Sequence, residues 1–203
     1  MLFAPGRIWE GETVVIVAGG PSLTLKQVRA VGMAHAAGRC KAIAVSDAVF
    51  PCWFADICFS SDAKWWDHNC GLAAFPRIKI SRNPLGRYDV QNLHDTGESG
   101  FDPVPGNVRH GSNSGYQAVH LAAQLGAAEI IIAGMDFTND GARQHWFGLH
   151  HGRMDMHSDT ETWRKHFRTL TDALDDLGVS VLNASTISTI DWLPHCDLEM
   201  HLA

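Results

Sequence analysis

Val14-Val-Ile-Val-Ala-Gly19-Gly20-Pro21-Ser22-Leu23 decides the fold. Four β-branched residues and an alanine run straight into two glycines, a proline and a serine, and a helical pattern follows from Thr24. An all-apolar run bounded by turn residues reads as a strand buried on both faces. Adjacent glycines let the backbone reverse sharply and approach a ligand with no Cβ in the way. Pro21 presets φ where a helix begins, and Ser22 supplies a cap or a hydroxyl. The expected product is a first βα turn whose free amides face an anion, usually a phosphate. The pattern is neither G-x-G-x-x-G nor a P-loop with its lysine, so a plain strand-to-helix turn is the alternative.

Outward from this turn the same unit recurs. A helix is expected over 25–37, with Leu25, Val28, Val31 and Met33 on its buried face and Gly38 as its stop. Short apolar runs at 42–45, 56–59 and 77–80 each end in polar residues: Ser46-Asp47, Ser60-Ser61-Asp62 and Ser81. Residues 84–108 are rich in Gly and Pro and read as a long excursion containing a small hairpin. Ser112-Asn113-Ser114-Gly115 opens a helix over 116–125, and Glu129-Ile-Ile-Ile-Ala-Gly134 reads as a central strand with Met135-Asp136-Phe137 at its tip. A His- and Gly-rich lid loop is expected over 138–157, then a helix over 160–177 with Trp163, Phe167, Leu170 and Leu174 on one face, then a strand over 179–182. Strands alternating with helices predict one three-layer, Rossmann-like α/β domain over 1–203 with a mostly parallel sheet. Its strand tips would share one edge, where such folds hold ligands.

With 203 residues, 45% apolar and 19% charged, the chain has material for one full core. A net charge of −6 with scattered Lys and Arg argues against a nucleic-acid-coating surface. No apolar run approaches the ~20 residues that span a bilayer, and no signal layout opens the chain, so a cytoplasmic protein is expected. The five cysteines form no C-x-x-C pair and read as reduced, mostly buried thiols. Oligomeric state is left open, a homo-oligomer included.

Three aspartates are expected at strand tips beside the first turn: Asp47, Asp62 and Asp136. Carboxylates are seldom buried without a partner. Here they would hold Mg2+, contact a ribose or act as a base; the alternative is that each caps a helix or turn. Ser112 and Ser114, flanking Asn113 before Gly115, would offer a second anion site or a plain N-cap. The histidine loop lacks H-E-x-x-H and any zinc spacing, so a histidine base or acid closing over the site is preferred, with His145 and His157 the candidates. Trp65, Trp66 and Trp146 would stack on a planar ring or pack in the core.

Gly19-Gly20-Pro21-Ser22-Leu23, Ser112-x-Ser114-Gly115, Leu125-Gly126-Ala127 and Gly134-Met135-Asp136-Phe137 together resemble the MptE-like domain. That domain is associated with 6-hydroxymethylpterin diphosphokinases, motility-accessory glycosyltransferases and phage proteins of unassigned role. The set is also similar to bacterial sialyltransferases that use a CMP-sugar. The latter resemblance implies a nucleotide lying across the first turn and the Ser-Gly helix start, with His157 as base. Those enzymes carry an asparagine after strand two, where this chain has Ser46-Asp47, and they carry tyrosines that are missing here after Asp136. The diphosphokinase resemblance implies ATP, Mg2+ and a pterin-like acceptor.

These readings converge on a transferase moving a glycosyl or phosphoryl group from a nucleotide or nucleotide-sugar to an unspecified acceptor. Phosphates would sit at Gly19, Gly20, Pro21 and Ser22 and at Ser112–Gly115, near Ser46, Asp47, Ser61, Asp62 and Gly134. The alternatives are a non-catalytic nucleotide-binding module and a hydrolase of a phosphorylated small molecule.

Overall fold

The computed structural model describes residues 1–138 and 159–203. The elements are β1 (Thr13–Val17), α1 (Leu25–Ala36), β2 (Lys41–Val45), β3 (Ile57–Phe59), α2 (Ala63–His68), β4 (Ile78–Ser81), β5 (Gln91–Asn92), β6 (His94–Asp95), β7 (Asn107–Val108), α3 (Ser114–Gln124), β8 (Glu129–Ala133), α4 (Thr160–Asp176), β9 (Ser180–Asn183) and α5 (Leu198–His201). A seven-stranded sheet has the order β5-β4-β3-β2-β1-β8-β9, and every pairing in it is parallel. The Rossmann-like α/β expectation therefore holds.

Strands with helices on both faces must be apolar all along, which is why β1 and β8 read as unbroken runs. Alternate residues feed two cores. Val14, Ile16, Ile43, Phe59 and Ile132 join Leu121 of α3 and Phe167 of α4 on one face, while Val15, Val17, Ala44, Cys58 and Ile131 join Val28 and Val31 of α1 and Leu198 of α5 on the other. The β-order reverses at β1: the chain steps outward through β2 to β5, then returns through α3 to place β8 on the other flank.

Several expectations are corrected. The buried face of α1 is Gln27, Val28, Val31 and Ala34. Leu25 and Met33 point to solvent, because the helix is phased by the Thr24 cap and by Gln27, whose amide reaches back to Ala184 O (3.0 Å). Within 84–108 no hairpin forms among the strands: β5 extends the main sheet, and β6 and β7 pair in parallel, their connecting segment being long enough for a crossover. Trp65 and Trp66 are buried and meet edge to face at 4.9 Å, so they pack the core. No described helix is long and apolar enough to cross a membrane.

Candidate functional site at the carboxyl edge of the sheet

The turn after β1 already holds an anion, and it is the chain's own. Asp136, buried beyond the tip of β8, accepts from Ser22 N at 2.8 Å through Oδ2 and from the Ser22 hydroxyl through Oδ1. Gly20 N donates to Gly134 O (2.8 Å), Leu23 N to Gly20 O (3.1 Å) and Thr24 N to Gln27 Oε1 (3.0 Å). Pro21 has no amide, so only Gly19 N in this turn lacks a partner among the described residues. A Cβ on Gly20 would lie 2.5 Å from both Asp136 Oδ2 and Gly134 O. The glycine is thus required by the close approach of β8's tip. The crevice at the topological reversal, where a parallel sheet commonly binds its ligand, is drawn shut by this Ser22–Asp136 clasp.

In register, Val45 pairs with Phe59 and Phe59 with Ile80, so the residues that follow, Ser46, Ser60 and Ser81, form one row across β2, β3 and β4. Ser46 Oγ donates to Ser60 Oγ at 3.0 Å. One residue further along each segment come Ser61 and Arg82. Successive side chains alternate between faces, so both return to the face of Phe59 and Ile80, which is the face α3 covers. Ser61 confirms this: its amide donates to Ser114 Oγ (3.1 Å), and the two hydroxyls stand 2.7 Å apart.

Asn113, rather than Ser112 or Ser114, is the N-cap of α3. Its Oδ1 accepts from Gly115 N (2.8 Å) and Tyr116 N (3.1 Å), which frees the Ser114 hydroxyl to reach β3. Gly115 leaves room for Met135 from β8, whose Cε would be 3.0 Å from an added Cβ. Around this helix start lies a connected group of polar side chains. Arg82 NH1 donates to Asp95 Oδ2 (2.9 Å), Asp95 Oδ1 accepts from Gly97 N (3.0 Å), Arg109 NH1 donates to Thr96 O, and Gln117 Nε2 donates to His110 O (2.7 Å). Arg82 Nε, Arg109 Nε and Gln117 Oε1 are buried and have no hydrogen-bond partner among the described residues. Each such atom costs about 1–3 kcal/mol of lost hydration, and native folds keep few of them. The same condition holds among the described residues for Ser81 Oγ, His120 Nδ1, Gln124 Oε1 and His166 Nδ1.

Three of the six described non-glycine residues with positive φ stand at the same edge, while Cys70, Leu72 and Tyr88 lie elsewhere. Ser46, Ser112 and Phe137 are non-glycine residues with φ of 50°, 54° and 47°. Such residues cost of order 1–3 kcal/mol and gather where a site over-determines them.

The three aspartates do not converge. Asp136 is engaged by Ser22, Asp47 Oδ1 accepts from Trp65 Nε1 (2.9 Å), and Asp62 caps α2 by accepting from Lys64 N (2.8 Å). Among the described residues no three His, Cys, Asp or Glu side chains gather as metal ligands, so these carboxylates do not fit a Mg2+ site by themselves. His145, His157 and the loop they belong to lie outside the described residues.

Arg82 and Arg109 were not visible from sequence. Arg82 directly follows a run ending in Ser81, but its bond to Asp95 depends on how the 84–108 excursion folds back, and Arg109 sits in a glycine-rich stretch with no periodicity.

The fold and its carboxyl edge define a three-layer, Rossmann-like α/β protein with a polar site at the start of its central helix. Comparison with family models, with curated proteins and with solved structures finds no match to this chain.

Proposed function

We propose that this chain binds the phosphates of a nucleotide or nucleotide-sugar at the start of α3 and transfers a glycosyl or phosphoryl group from it. The observation that carries the reading is the Ser61–Ser114 hydroxyl pair at the start of α3, together with the buried atoms Arg82 Nε, Arg109 Nε and Gln117 Oε1, which lack partners among the described residues. A phosphate there meets two hydroxyls, the positive end of α3 and the Arg82 guanidinium, already held on one side by Asp95. Charge developing on the leaving phosphate is then offset by fixed donors, the commonest source of rate in such transfers. The acceptor proton falls to His157 or His145. The first turn, whose donors Asp136 takes up, holds β1, β8 and α1 in place beside the ligand.

The test is a melting-temperature panel of ATP, CMP, UDP and GDP derivatives, with and without Mg2+. At least one ligand stabilises the protein, by about 2.7 kcal/mol at a hundredfold excess over Kd. Arg82→Ala weakens that ligand at least tenfold, the scale of one charge-assisted hydrogen bond. His157→Ala preserves binding and removes turnover. A panel that leaves the melting temperature unmoved overturns the reading. Binding with no product ever formed favours the non-catalytic module, and release of free phosphate or sugar without an acceptor favours the hydrolase.

A further inference from the structure

A cavity of about 690 Å3 opens beyond the tip of β8 against the first turns of α4. Phe137 and Thr138 leave the strand tip into it, Thr189 and Trp192 form another wall, and α4 contributes Arg164, Lys165 and Arg168. Its size suits one small organic molecule. Three cations face two carboxylates, Glu161 and Asp191, so the lining is net positive in a chain whose formal net charge is −6.

The cations are arranged rather than scattered. Arg164 and Arg168 are one helical turn apart, and both guanidiniums lie over the Trp192 ring, at 5.6 and 5.5 Å from its centroid. Trp192 is itself held by its Nε1 donating to Thr171 Oγ1 (3.0 Å). Asp191 takes Arg164 at 3.2 Å and Asp172 takes Arg168 at 2.9 Å, so each guanidinium is oriented and keeps further N–H donors. Lys165 has no ion-pair partner among the described residues. Thr189 joins the cavity to the strand tip: its amide donates to Asp136 O (2.9 Å) and its hydroxyl to Phe137 O (2.8 Å).

We infer that this cavity binds the acceptor of the transfer, and that the acceptor is an anionic sugar, a sugar phosphate or a sugar acid. Arg164, Lys165 and Arg168 receive the charge, the threonine-lined wall receives hydroxyls, and the Trp192 ring lining the cavity receives an apolar sugar face. Three strand spacings separate β3 from β8, roughly 14 Å at the usual inter-strand distance. A donor anchored by phosphate at Ser61 and Ser114 spans that gap and presents its other end to the cavity. The inference rests on the transferase reading for the word acceptor, but binding of an anionic sugar is testable without it.

Isothermal titration of the full chain with glucose 6-phosphate and with glucuronate, against glucose and inorganic phosphate, decides the matter. One of the two anionic sugars binds at least tenfold tighter than either control, and which one distinguishes the phosphate from the carboxylate. Lys165→Glu and Arg168→Glu, both on exposed positions of α4 and checked for folding by circular dichroism, each weaken that binding at least tenfold and leave nucleotide-induced stabilisation unchanged. Equal binding of glucose, no binding of either anionic sugar, or undiminished binding by both variants overturns the inference. Nucleotide binding lost with sugar binding kept removes the transferase reading and leaves the cavity assignment standing.

Discussion

His120 shows what a single buried residue contributes. It is fully buried on α3, and its Nε2 accepts from the Asp102 amide at 2.9 Å, so the ring is held neutral with its proton on Nδ1. Burial lowers its pKa to about 3; the nearby Asp102 carboxylate opposes this and Arg109 adds to it. The unfolded chain, with an ordinary histidine near 6.5, therefore binds one more proton than the folded one between pH 6.5 and 3. Stability from this group is complete above 6.5 and declines as the pH falls, by about 1.4 kcal/mol per pH unit within that window. Urea denaturation from pH 7 to 4 should show His120→Gln losing stability less steeply than the parent by that slope; identical slopes would mean that the ring is not held neutral. Asp102 behaves in the opposite sense to its burial. Burial raises its pKa, but hydrogen bonds from Thr96, Val104 N and Asn107 outweigh that and hold it below the carboxylate range, so its contribution disappears only at still lower pH. At this scale the sequence placed polar residues at strand tips and was silent on what they touch. Asp136 and Ser22 were both picked from strand tips, yet nothing in either stretch says that they bond to each other across 114 positions.

At the scale of the element, the long periodic segments were legible and the short ones were not. β1, β8, α3 and α4 carry their own signals, since each buries a face set by its own spacing. β5, α2 and α5, of two, six and four residues, are too short to hold themselves and exist because the sheet and its flanking helices receive them. The start of α3 illustrates the limit of local reading. Asn113 was quoted with its neighbours as part of an anion-binding helix start, and it turns out to be the cap that holds Ser114 toward Ser61. Asn113→Asp keeps an acceptor for Gly115 N and Tyr116 N and places a negative charge at the favourable end of the helix dipole. Stability should therefore stay within about 0.5–1 kcal/mol of the parent. Nucleotide affinity should fall at least tenfold, because the new carboxylate repels phosphate. An aspartate variant that binds the nucleotide undiminished would place the phosphate away from α3.

On the proposed reading, the whole molecule keeps ligand binding at one edge of the sheet and a C-terminal fastening at the other. Strand alternation was enough to anticipate a three-layer parallel fold, but not the strand order, because which flank of β1 receives β8 is decided by the long return through 84–113 and α3. The carboxyl edge carries Ser46, Ser112 and Phe137 with their positive φ, and the cavity beyond β8. The amino edge is fastened by the final segment: Leu198 and Leu202 are buried against α1, Arg39 NH1 donates to Leu202 O (2.5 Å), and His201 Nε2 meets Glu129 Oε1 (3.0 Å) where β8 begins. Removing residues 197–203 takes away two buried leucines, worth about 1.5–3 kcal/mol each, a large part of the roughly 5–15 kcal/mol that keeps a domain folded. The urea midpoint should drop accordingly. The exposed Lys26–Glu199 pair, lost in the same cut, adds little. Because the removed segment touches α1 and the base of β8 rather than the tips of β3, β4 and α3, a nucleotide should raise the stability of the shortened chain by the same increment as the parent. If the shortened chain stays folded at low temperature and gains nothing from the nucleotide, the ligand does not sit at the carboxyl edge.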